Sequence, residues 1–188
     1  MRDVETETLW SHLLGKGMRG ELKGVQLEVL PGTTTTWAEW KERHPETTLL
    51  GMSRTARRYN EEVWRKPERF VYGVHLGADS PSPAVTIGKL QKESLVQFEA
   101  AGKKMLVTYA KHGSRAQAFE RILDGKEIQF AVAEGERMKD RATSSTWDVV
   151  TGECLKGKLQ GKKLTILPGT ISYRTAWEQF FPKGEVIE

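Results

Sequence analysis

Residues 3–50 read DVETETLWSHLLGKGMRGELKGVQLEVLPGTTTTWAEWKERHPETTLL, and residues 140–187 read DRATSSTWDVVTGECLKGKLQGKKLTILPGTISYRTAWEQFFPKGEVI. At a constant offset of 137 positions the two stretches align without a gap, and 14 of the 48 pairs are identical. The matches include Asp3, Thr6, Trp10, Gly15, Gly20, Gly24, Leu27, Pro31, Gly32, Trp40 and Pro45 against their partners. These residues mostly set backbone geometry or fill cores, so the two ends of the chain are expected to be copies of one structural piece.

Within each copy the pattern predicts short strands and one helix. A polar stretch, Asp3 to Glu7 or Asp140 to Ser145, turns apolar at Trp10 or Trp147, which reads as a short strand. Gly15 and Gly152 permit a turn, and Gly20 with Gly24, or Gly157 with Gly161, bracket a tight reversal. Val25, Leu27 and Val29 alternate with polar residues at the period of a half-buried strand, a pattern kept by Leu164 and Ile166. Pro31-Gly32 and Pro168-Gly169 close it. A helix is expected over Trp37 to His44, with Thr36 and Glu39 at capping-box spacing and Trp37 and Trp40 on one buried face. The matching helix is expected over Thr175 to Phe181, with Thr175 and Glu178 as its box.

Between the copies, Phe70 to Leu76, Met105 to Tyr109, Ala116 to Phe119 and Ile128 to Val132 read as strands, with Asp124-Gly125 as a hairpin tip. Ser80-Pro81-Ser82-Pro83 is a loop, and Gln91 to Ala100 is open between helix and strand. The expectation is an α+β, β-rich protein of short strands and hairpins with a few covering helices. Residues 1–50 form a partial first repeat, 51–67 a basic connector and 68–188 a complete unit, together one compact body.

Composition bounds the function. The 188 residues are 38% hydrophobic and 29% charged, enough for a core and a solvated surface, and no run approaches the roughly 20 apolar residues of a membrane helix. Met1 to Thr8 are acidic and polar where an export leader would be basic and then apolar, so no signal peptide is read here. A single cysteine, Cys154, excludes an intramolecular disulfide. The net charge of +4 is only partly clustered, at Arg54, Arg57, Arg58, Arg65 and Lys66. Glu61 and Glu62 interrupt that stretch, which reads as a solvated connector rather than a phosphate-binding surface.

In order and spacing the landmarks resemble a largely bacterial family known as domain of unknown function 3179. The resemblance rests on Tyr72-Gly73-Val74 with Gly77, Ala101-Gly102-Lys103 before Val107-Thr108-Tyr109, Ala118-Phe119-Glu120-Arg121, and Asp140-Arg141 with Thr143, Ser145 and Trp147. Gly157, Gly161, Leu164, Pro168, Trp177 and Pro182 follow. Family chains resemble two copies of a longer unit and often look exported, so the resemblance implies that residues 1–50 are the second half of a first copy. Where many members carry Cys-Pro-Leu-Cys-Gly, this chain reads Ala110-Lys111-His112-Gly113-Ser114. Any metal or redox use of those sulfurs is therefore not available to it in the same form.

His12, His44, His75 and His112 form no close pair, and no P-loop, dinucleotide fingerprint or G-x-S-x-G elbow is present. No cofactor or metal is expected. The leading expectation is a non-catalytic binding or assembly module, with a protein partner or a homo-oligomer. The first alternative is an enzyme or metal-associated site near Tyr109, His112, Ser114, Asp140 and Arg141, with Ser145 in the same ligand-binding set. In that reading Arg141 grips an anionic group; in the plainer one Asp140 caps a turn and Trp147 fills the core. The second alternative is weak nucleic-acid binding through Arg54 to Lys66.

Overall fold

The computed structural model describes residues 1–33, 35–49, 65–111 and 115–188. Strands β3 (Phe70–Val74) and β6 (Lys103–Ala110) set the architecture, because β3 and the Met105 to Ala110 part of β6 are mostly apolar without alternation and buried on both faces. The chain between β3 and β6 supplies β4 (Ala84–Thr86), helix α2 (Ile87–Glu93) and β5 (Leu95–Ala100). Strand β7 (Arg115–Glu120) follows, then the small hairpin β8 (Ile122–Leu123) and β9 (Lys126–Glu127), then β10 (Phe130–Ala133) and β11 (Arg137–Asp140). The second copy continues with β12 (Thr146–Asp148), β13 (Cys154–Lys156), β14 (Ile166–Leu167), β15 (Gly169–Tyr173), helix α3 (Arg174–Phe180) and β16 (Val186–Ile187). The first copy holds β1 (Leu9–Ser11), β2 (Lys16–Arg19) and helix α1 (Trp37–Arg43).

Three four-stranded sheets carry the core, in the orders β15-β3-β4-β16, β14-β7-β6-β5 and β10-β11-β12-β13. All pairings in them are antiparallel except β16 on β4. Alternate residues of β6 point to opposite cores. Met105, Val107 and Tyr109 join Phe70, Tyr72, Val74 and Leu90 on one side, while Leu106 and Ala110 join Phe119, Phe130, Met138 and Trp147 on the other. The β6 sheet is thus the middle layer, each fully buried Val, Leu or Phe contributing about 1.5–3 kcal/mol relative to exposure. The outer face of β3 and β4 is closed by Trp177 and Phe181, with Leu13 and Leu14 of the first copy against them.

Local chemistry explains the turns. Ala101-Gly102 and Asp124-Gly125 each place two successive residues at positive φ (50° and 70°; 50° and 75°), the geometry of a two-residue hairpin whose twist matches its strands. Gln91 to Ala100 is both helix and strand: α2 ends at Ser94 in the left-handed conformation (φ 58°), and β5 starts at the next residue. Buried Arg121 ties the β8–β9 hairpin down by donating to the carbonyls of Met105 and Ile128 and pairing with Glu127.

Four expectations are corrected. Val25 to Val29 form no strand and make only the antiparallel bridge from Gln26 to Lys16; the matching residues 162–166 behave alike, with a Glu153–Lys163 bridge, until Ile166 opens β14 against Phe119 of β7. Trp37 and Trp40 do share helix α1, capped by Thr36 and Glu39 as read, but no residue of that helix is buried. Helix α3 is entered one residue earlier than read: Tyr173 is its N-cap, and no side chain caps it. The C-terminal helix is held instead by Trp177, whose ring seats on Gly73 and whose Nε1 donates to Ser82 O at 3.3 Å.

Candidate functional site

The two copies share most of the hydrogen bonds of their opening turns. The Asp140 carboxylate accepts from Thr143 N (2.5 Å), Thr143 Oγ1 (2.8 Å), Ser145 N (3.0 Å) and Trp147 Nε1 (3.1 Å). At the offset position, Asp3 accepts from Thr6 N, Thr6 Oγ1 and Trp10 Nε1 at 2.7–2.8 Å. Thr8 Oγ1 then accepts from Leu22 N, and Ser145 Oγ from Leu159 N, both at 3.2 Å. Gly20 and Gly157, at φ 110° and 111°, pass so close to Thr8 and Ser145 that a Cβ would lie 2.8 Å from the facing Cα. Only glycine fits either place.

Trp10 Nε1 and the Thr6 amide hold the Asp3 carboxyl below the usual carboxylate range. For Asp140, burial pushes the carboxyl up, and the donors from Thr143, Trp147 and Ser145 together outweigh it, leaving it lowered as well. Those four bonds occupy Asp140 within its own turn, and Ser145 and Trp147 are buried beside it. Arg141 is exposed, with its amide donating to Gln129 O across to β10. Tyr109 stands apart from this turn, lining a cavity of about 140 Å³ with Lys111, Glu136 and Arg137. His112 and Ser114 lie outside the described residues, as do Arg54, Arg57 and Arg58 of the basic stretch; Arg65 and Lys66 lie within them. Cys154 is buried, and that burial raises its thiol. His75 packs edge-on to Trp177 and Phe181, at 5.1 and 5.7 Å between ring centroids, and burial lowers its pKa. Among the described residues no three His, Cys, Asp or Glu side chains group as a metal site, and no helix is long and apolar enough to cross a membrane.

The copies differ in what covers them. Trp147 meets Phe130 edge to face at 5.6 Å in a core that includes Met138 and Leu164 with Leu159 against it. The first-copy residues at those places, Trp10, Met1, Leu27 and Leu22, line an open groove of about 350 Å³. Trp177 is 0% exposed and its counterpart Trp40 is 37% exposed. Among the described residues, ten of the fourteen exposed large apolar side chains fall within residues 1–49, Leu30 and Leu49 above 70%.

The first copy is nonetheless fastened to the rest. Leu13 and Leu14 pack on the Trp177 and Phe181 cluster, while their counterparts Val150 and Thr151 help line a cavity with Trp40 and His44. Arg115, 6% exposed, pairs with Glu39 at 3.2 Å and Glu136 at 3.1 Å, so a carboxylate from the first copy reaches a buried cation on β7. Next to it Thr33 Oγ1 donates to Gln117 Oε1 at 2.9 Å. Arg115, Gln117 and Thr33 carry no motif, and they were missed because only the docking of one copy on the other unites them.

The fold is therefore that of a β-rich protein with a recurring turn-and-helix unit near each end of the chain. A family model described as a protein of unknown function, DUF3179, matches residues 1–67 and again residues 61–184, and the chain belongs to that family. The two overlapping matches fit an internal repeat. No curated protein and no solved structure matches the chain.

Proposed function

We propose that the protein is a non-catalytic binding or assembly module and that residues 1–49 form its contact face. The observation that carries this reading is the unequal fate of equivalent side chains: Trp177 is fully buried against Gly73, while Trp40, on the matching turn of the matching helix, is 37% exposed, and Trp37 and Leu30 are exposed as well. Monomeric proteins rarely leave so much apolar surface together unless it meets something. The face is also rigidly backed, by Glu39 on Arg115 and by Leu13 and Leu14 on the Trp177 cluster.

Sedimentation velocity over a wide concentration range, with uptake of an environment-sensitive apolar dye, tests the proposal. The wild-type chain should self-associate or bind dye while folded, and Leu30→Glu with Trp40→Glu should reduce either signal while the chain stays folded, its urea midpoint lowered by no more than about 1 M. A chain that stays monomeric and takes up no more dye than the double variant refutes it.

A second reading, a ligand or enzyme site near Tyr109, is supported by the cavity that Tyr109 shares with Lys111 and Glu136. It predicts that Tyr109→Phe weakens binding of a small polar ligand found by screening, and an unchanged affinity would remove it.

A further inference from the structure

Strand β11 has two neighbours: Met138 pairs with Trp147 of β12 on one edge, and the other edge takes β10, with Val132 opposite Met138, Ala131 opposite Lys139 and Phe130 opposite Asp140. The first copy begins in the same way. Met1 exchanges both backbone hydrogen bonds with Trp10 (2.7 and 3.0 Å), Arg2 bridges Leu9, and Asp3 N donates to Thr8 O. Met1 to Asp3 are thus a counterpart of β11, laid on β1 as β11 is laid on β12. Because Met1 spends its terminal ammonium and its carbonyl on Trp10, strand alternation turns the amide and carbonyl of Arg2 to the opposite edge, where the second copy has β10.

The groove of about 350 Å³ lies beside that edge. Its apolar walls, Met1, Trp10, Leu22 and Leu27, match Met138, Trp147, Leu159 and Leu164, which in the second copy share one core with Phe130, whose ring meets Trp147 edge to face. Among the described residues nothing fills that edge or groove as β10 and Phe130 do in the second copy, and the second copy displays a strand and ring that fit both.

Resting on the reading of residues 1–49 as a contact face, the geometry points to a β-strand of a partner protein as the occupant, adding antiparallel to Met1–Asp3 and seating an aromatic side chain in the Trp10–Leu27 groove. Main-chain bonds to Arg2 supply the attachment and the groove supplies the selectivity, the division found wherever a peptide extends a sheet edge. The register follows from β10: the aromatic residue lies opposite Asp3, a residue of any kind opposite Arg2, and an apolar residue opposite Met1.

The probe is a synthetic peptide with the sequence of residues 127–134, EIQFAVAE, titrated into the full chain with Trp emission and calorimetry as readouts. The proposal expects saturable binding that falls at least tenfold when the peptide carries Phe130→Ala, or when its backbone is N-methylated at Ala131, and again in the chain variant Leu27→Lys. Leu27 is itself solvent-exposed, so that variant keeps its fold, checked by circular dichroism. Absent binding, or binding indifferent to the aromatic residue and to N-methylation, overturns the strand proposal. If the chain still self-associates or takes up dye through Trp40 and Leu30, the contact-face reading survives that failure; if it does neither, both fall.

Discussion

Replacing Asp140 by alanine removes one acceptor and strands several donors. Trp147 Nε1 and the Ser145 amide lie in fully buried surroundings, and both point at the Asp140 carboxylate. A buried donor left without a partner costs about 1–3 kcal/mol, so the two together imply a loss of about 4 kcal/mol. With a urea dependence of roughly 2 kcal/mol per molar for a chain of this size, the midpoint should fall by about 2 M. Asp140→Asn should fall less, since its remaining carbonyl oxygen still accepts one bond. Asp3→Ala is the internal control: it deletes the matching bonds from Thr6 and Trp10, but these are only part-buried, and water replaces what is lost. The assay is equilibrium urea unfolding followed by far-ultraviolet circular dichroism on the three variants. If Asp3→Ala lowers the midpoint as much as Asp140→Ala, the argument that burial separates the two copies is wrong.

The same comparison extends to the helices: Trp177→Ala should cost about 3–5 kcal/mol and Trp40→Ala about 1 kcal/mol, read from urea midpoints. Gly73→Ala places a Cβ 2.3 Å from the Trp177 ring and should cost about 3 kcal/mol by overpacking, whereas Gly32→Ala meets nothing within 4 Å and should leave the midpoint in place. Because the Asp140 carboxyl is lowered in the fold, its contribution is complete above its unfolded value and lost as pH falls through the lower folded one; stability measured below pH about 4 should fall less steeply in Asp140→Asn. His75 works in the same direction at higher pH: its folded pKa is lowered, so stability should decline as pH drops below its unfolded value near 6.5, and His75→Phe should flatten that limb.

Features that residues settle among near neighbours were legible in the sequence. Thr36 and Glu39 cap α1 because the box closes within four residues, and Asp124-Gly125 turns a hairpin because two successive residues take positive φ. The spacing of Asp140, Thr143, Ser145 and Trp147 likewise marked a real cluster, whose bonds span no more than seven residues. Val25 to Val29 alternate as a strand does, yet their pairing stops at a single bridge between Gln26 and Lys16, and how far a partner edge runs is not contained in the pattern. Trp37 and Trp40 announced an apolar face without saying whether anything would cover it. The groove at Trp10 was invisible for the same reason, being defined by Phe130 in the other copy.

Glu39 on Arg115 gives the amino-terminal segment a structural duty of its own. Arg115 sits on the same β7 whose far end holds Ile166 and Leu167, so the segment leans directly on the central layer of the molecule. Removing residues 1–49 would strip one carboxylate from a guanidinium shut away from water and bare the flank of Trp177 that Leu13 and Leu14 now shield. The half-copy is a buttress, and pruning it would weaken the wall it stands against.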